Sequence, residues 1–145
     1  MFTAIHEAGH AVAAIDLGVY IDGVSIVRDE TTLGRVGVED GGEFFVPAGM
    51  DPAPPECDAL YRKWADDQAT IDSAGHAAVV GLLKHGDMGH RSAIQNGALD
   101  DYANARERLG KRRRRIATAN ARAVEIVQRR GDDIRKIAEL LARHD

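Results

Sequence analysis

Residues Thr3 to Leu17 read TAIHEAGHAVAAIDL, and the fold is read outward from this stretch. It is rich in alanine, has no proline and is followed by Gly18, which predicts a helix closed by a glycine. Ile5, Val12, Ala13 and Ile15 fall on several of its faces, so the helix is expected to be buried nearly all round. Inside it stands His6-Glu7-Ala8-Gly9-His10. At about 3.6 residues per turn, positions i and i+4 share a face, so both imidazoles can reach one metal ion. Glu7 then lies beside that ion, close enough to take a proton from an attacking water. With six histidines and eight glutamates in 145 residues, a shuffled chain would carry this pattern about one time in a hundred. Two histidines merely packed and hydrogen-bonded on a buried helix would need that coincidence, so a Zn²⁺ site is the better reading.

Beyond Gly18 the character changes. Val24-Ser25-Ile26-Val27 and Arg35-Val36-Gly37-Val38 alternate and are β-branched, which predicts two or three short strands. Pro47 to Pro55 holds all four prolines and reads as a surface loop. Glu56 to Lys84 is helical in composition, with a break expected near Ser73-Ala74-Gly75 and a core segment at Ala77 to Leu83. His85 to Gly97 contains three glycines and reads as a loop, so that Asp100 and Asp101 would open the helix starting at Ala98. That helical region runs to the end with interruptions at Gly110 and Gly131, and Ile134, Ile137, Ala138 and Leu141 form an apolar stripe. The order predicts an α+β, mostly helical fold, with a small β-sheet, a C-terminal helical bundle and one domain over 1–145.

Composition narrows the class. Hydrophobic residues make up 44% and charged residues 29%, values of a globular chain and not a disordered one. No apolar run approaches the roughly 20 residues that span a bilayer, and no signal peptide is recognisable. Cys57 is the single cysteine and cannot form an internal disulfide, which fits a reducing, cytoplasmic setting. The net charge of −4 hides an acidic segment over 1–100 and a basic one over 101–145, read as two parts of one fold neutralising each other. In Lys111-Arg112-Arg113-Arg114-Arg115 the cations spread around a whole helix and cannot all line one groove. With 5% aromatics and no stacking motif, the run reads as a solvated or inter-subunit face, not a nucleic-acid surface.

A catalytic zinc usually has three protein ligands and a water. Glu56, Asp72, His76, His85, His90, Asp100, Asp101 and His144 are all candidates for the third, and spacing alone does not choose among them. A resemblance does. Thr3 to Leu17 resembles the active-site helix of the FtsH family of AAA+ zinc proteases, whose motif reads HEAGHA. Gly23-Val24-Ser25-Ile26-Val27-Arg28 with Leu33-Gly34 is similar to that family's next strand and turn. Asp72 to Ala78 resembles its G-G-R-A-A helix, and Gly97-Ala98-Leu99-Asp100-Asp101-Tyr102 resembles G-A-x-N-D-L, whose aspartate ligates zinc. The last residues (AVEIVQRRGDDIRKIAELL) are similar to its C-terminal helix pair. The chain departs from the family at His76, where an arginine stands, and at Val79 and Val80, where glutamates usually follow. No G-x-x-x-x-G-K-[ST] occurs, so these residues hold no ATPase motor.

The resemblance implies a zincin-like active-site helix and metal ligands His6, His10 and Asp101, with Glu7 as the catalytic base. The activity it implies is a zinc metallopeptidase that hydrolyses peptide bonds in unfolded or flexible polypeptide. It also implies a homo-oligomer and a separate ATPase or unfoldase as partners. A strand near Gly34–Val38 could offer its edge to substrate, so that recognition is mainly backbone pairing. Two rivals share the motif: a small soluble repressor-cleaving metallopeptidase, and an inactive zinc-bound adaptor that binds a partner.

Overall fold

The structure is a computed structural model that describes residues 1–26, 35–38, 55–83, 91–110 and 112–144. Its elements run α1 (Phe2–Asp16), β1 (Ile21–Ser25), β2 (Arg35–Val38), α2 (Pro55–Leu82), α3 (Arg91–Leu109) and α4 (Arg113–His144). The chain is mostly helical, as expected, with one antiparallel pair of strands among the described residues. Val24 lies opposite Val36 and Ser25 opposite Arg35, and the register is irregular between Ile21 and Gly23. Residues 47–54 of the proline-rich segment and the 27–34 stretch lie outside the described residues.

The α1 helix ends as its sequence requires. Gly18 takes φ +73°, Gly18 N–H donates to Ile15 O at 3.1 Å and Val19 N–H to Ala14 O at 2.8 Å. These two bonds satisfy carbonyls that the last helical turn leaves open, and the left-handed residue between them is glycine because a Cβ would crowd its own backbone there. Burial along α1 is nearly continuous from Ala4 to Ala14. Ile15 departs from that expectation, since half of its surface stays exposed.

Three sequence readings are corrected in the helices. The α2 helix is unbroken through Ser73-Ala74-Gly75, because its small residues there serve close packing and do not interrupt the chain. Pro55 belongs to α2 as its first residue, where its fixed φ suits a helix and its missing N–H is not needed. The α3 helix starts at Arg91, so the 91–97 stretch is helical and Asp100 and Asp101 lie well inside it, not at its opening. A single interior glycine, here Gly97, costs a helix only about 1 kcal/mol and need not end it. Gly110, at φ +61°, does separate α3 from α4. Beside Gly131, Arg130 leaves helical geometry (φ −110°, ψ 18°), and α4 continues past this kink.

The core is an alanine-rich seam. Ile5, Ala8 and Val12 of α1 meet Ala74, Ala78 and Val79 of α2 and Ala123, Val127, Ile134 and Ala138 of α4. Within the Ala77–Leu83 segment Val80 turns away from this core and is 62% exposed, while Leu82 and Leu83 at its end pack against it. A second small cluster, Ala65 and Ala69 with Ala105, Leu109 and Ala119, seats α3 on α2. The acidic and basic segments do join within the fold. Arg115 meets Asp66 at 2.8 Å, Arg122 meets Asp67 at 3.1 Å, and Arg129 and Arg130 both meet Asp16 at the end of α1.

The tightest approach is α1 on α2. A Cβ on Gly9 would stand 2.7 Å from Ala78 Cβ and 2.8 Å from Ala74 O, inside van der Waals contact with another helix. On Gly81 it would meet only Val127 Cγ1, at an ordinary 3.5 Å. Gly9→Ala should therefore destabilise the fold by about 1–3 kcal/mol in denaturant unfolding, despite alanine's better helix propensity. Gly81→Ala should be neutral or stabilising by about 0.5 kcal/mol. Equal effects of the two substitutions would contradict the close crossing.

Candidate metal centre

Where α1 crosses α2, its two histidines are turned toward α3. His6 Nε2 and His10 Nε2 lie 3.1 Å apart, and Asp101 Oδ2 of α3 stands 3.2 Å from the first and 3.5 Å from the second. The three atoms form a nearly equilateral triangle that could hold a metal ion. A tetrahedral ion with bonds of about 2.0–2.1 Å spaces its ligands about 3.3 Å apart, so the edges of this triangle fit such an ion. Asp101 Oδ2 is buried without a properly aligned hydrogen-bond partner. An acceptor left in that state costs free energy unless something positive meets it.

The rings are held from behind. His10 Nδ1 lies 2.7 Å from the carbonyl of Ile71 on α2, and Nδ1–H donates there. That bond fixes the ring and leaves the Nε2 lone pair facing the triangle, the arrangement metal-binding histidines use. The His6 ring stands at 88° to that of His10 and stacks on Phe2 at 17°. Beneath both rings runs the backbone of Gly75. A Cβ there would collide with His10 Nε2 and lie 2.7 Å from His10 Cε1 and 2.8 Å from His6 Cε1.

Electrostatics follow from burial and sign. Burial alone would strip the proton from His10, but Asp101, Glu7 and the Ile71 carbonyl outweigh it and push its pKa up to about 9. Burial alone would neutralise Asp101, but the two histidines outweigh it and hold its pKa down to about 2. The negative field that keeps a proton on His10 would equally favour a cation in its place. Glu7 is 6% exposed, and burial raises its pKa against the pull of His10 and His6.

The three residues that the resemblance implied as metal ligands thus come together, and Glu7 lies close enough to feel the charges of all three. The other candidates have different places. Asp100 is exposed. Asp72 is bound to Arg108 at 3.2 Å, and burial drives its pKa to about 6 despite that cation. The His76 ring meets that of Tyr102 edge to face. His85 and His90 lie outside the described residues, while Glu56 and His144 fall at the ends of α2 and α4. Two contributors were not foreseen from the sequence. The Ile71 carbonyl is backbone and leaves no side-chain signature, whereas Gly75 is an isolated glycine in a helical pattern, a signal that a break and a packing role share.

Gly75→Ala should keep the helical content but force the two rings off their positions. Zn²⁺ affinity should fall about 10–100-fold, the cost typical of disturbing a metal site's support. Competition with a chromophoric chelator measures it, and wild-type affinity would mean that the rings have room to spare.

Comparison with family models, curated proteins and solved structures gave no match to this chain, so its site is read from its own residues and geometry.

Proposed function

We propose that this chain is a zinc metalloendopeptidase of the FtsH type, with α1 as a zincin-like active-site helix, acting on unfolded or flexible polypeptide. The observation that carries the reading is the convergence of His6, His10 and Asp101 on one point, with the buried Glu7 close enough to feel the charges of all three. Two imidazoles and one carboxylate are a donor set suited to zinc, and three protein ligands leave a fourth position for the reaction. An ion held there supplies two things, acidification of a water and polarisation of the scissile carbonyl.

The protein's own groups do the rest. Glu7 accepts a proton from the attacking water and returns it to the leaving amine, as a general base and then a general acid. His10 is kept in the required tautomer by the Ile71 carbonyl. Asp101 is brought in from α3, which is fastened to α2 by the Arg108–Asp72 pair and by the Arg108 guanidinium over the Trp64 ring, 5.5 Å from its centroid. An extended substrate is proposed to pair with the edge of the β1–β2 ribbon, which packs beside α1. Among the described residues no helix is long and apolar enough to cross a membrane.

Two experiments test this function. Asp101→Ala should lose most of its Zn²⁺ by elemental analysis, whereas Asp100→Ala should hold as much as wild type. The reverse order would remove Asp101 from the ligand set. Glu7→Gln should retain zinc and fold while casein cleavage falls about 10²–10⁴-fold, since an amide cannot take the proton. Undiminished cleavage would falsify the base role, and a zinc-loaded wild type without any cleavage would favour a binding domain over an enzyme.

A further inference from the structure

The residue after Gly75 is His76, and the residue after Asp101 is Tyr102. Their rings meet edge to face, with centroids 5.5 Å apart at 60°. Both are half-buried, so α2 and α3 each place a polar ring next to a residue of the metal site. His76 lies close enough to feel the charges of His6 and Asp101, and burial together with His6 favours its neutral form. Its Nδ1 is buried and has no hydrogen-bond partner. Enclosed as it is, Nδ1 meets no substrate, and with no acceptor beside it the ring proton of the neutral form is left to Nε2. Trp64 Nε1 and Gln68 Nε2 are also unpaired, but they lie two to three turns earlier in α2.

We infer that His76 is a further catalytic residue, whose Nε2–H hydrogen-bonds the scissile carbonyl oxygen as that oxygen gains negative charge. The inference rests on the peptidase reading above. When the water oxygen adds to the carbonyl carbon, one water proton passes to Glu7 and the π electrons of the carbonyl move onto its oxygen. A neutral imidazole offers one N–H for that oxygen, and the Tyr102 ring packed against it restrains its plane. One such donor in a water-excluded site is worth about 10²–10³ in kcat.

The test uses the zinc-loaded full chain as wild type, His76→Phe and His76→Gln. Phenylalanine keeps a ring against Tyr102 but has no donor, and glutamine restores an N–H. Zinc content and acetohydroxamate binding report on the metal alone. A phosphinic peptide, with a charged oxygen on a tetrahedral centre, reports on the donor. Both variants should hold zinc and bind acetohydroxamate as wild type does. His76→Phe should bind the phosphinic peptide at least about 10-fold more weakly, and its kcat on a fluorogenic peptide should fall about 10²–10³-fold with KM unchanged. His76→Gln should recover part of both. Wild-type phosphinic-peptide binding by His76→Phe would make His76 a packing residue and overturn the inference. Loss of zinc in that variant would overturn it too, by placing His76 in the support of the metal. A wild type that holds no zinc would overturn the peptidase reading itself.

Discussion

The close crossing of α1 over α2 is the constraint on which the rest of the molecule depends. Two glycines permit it, one from each helix. Gly9 lets the backbone of α1 come down on Ala74 and Ala78, and Gly75 lets the rings of His6 and His10 lie on the backbone of α2. At that separation the Ile71 carbonyl reaches His10 Nδ1. Larger side chains at the crossing would bury more apolar area, but they would lift the histidines off their backing. The alanine-rich core is thus the consequence of placing two imidazoles between two helices. The apolar area it forgoes is recovered on the α4 side, where Ile126, Val127 and Ile134 are buried.

Around this centre, charge does what shape does not. The α3 helix leans mainly on α2 and hardly on α4. Its hold includes the small Ala65–Ala69–Ala105–Leu109 cluster and the Arg108–Asp72 pair. Asp101 rides on that same helix, so the forces that dock α3 also set the third corner of the triangle. The Asp16 carboxylate lies at the negative end of α1, an unfavourable place that Arg129 and Arg130 of α4 offset. Exposed ion pairs of this kind are each worth only about 0–1 kcal/mol. Here they fix which helices meet more than how strongly.

Much of this was legible in the sequence, for reasons that differ residue by residue. The α1 helix and its His6-Glu7-His10 face are local: period, composition and a terminal glycine all act within a few turns. Asp101 is a different case, because it approaches from a distant helix, and a carboxylate alone does not announce its partner. It was singled out by likeness to a known motif and not by spacing. Glycine was the ambiguous letter. Gly110 does end a helix, Gly97 does not, and Gly75 allows a close approach while leaving α2 intact. One residue type serves all three purposes, and only the packing partner distinguishes them.

The central claim is that two imidazoles and one carboxylate converge to hold a single zinc ion. Zinc K-edge X-ray absorption on the purified protein measures this most directly. One zinc per chain, with a shell of nitrogen and oxygen at about 2.0–2.1 Å and the outer-shell scattering of two imidazoles, is the predicted result. A protein that takes up no stoichiometric zinc, or zinc whose spectrum lacks imidazole scattering, would contradict it.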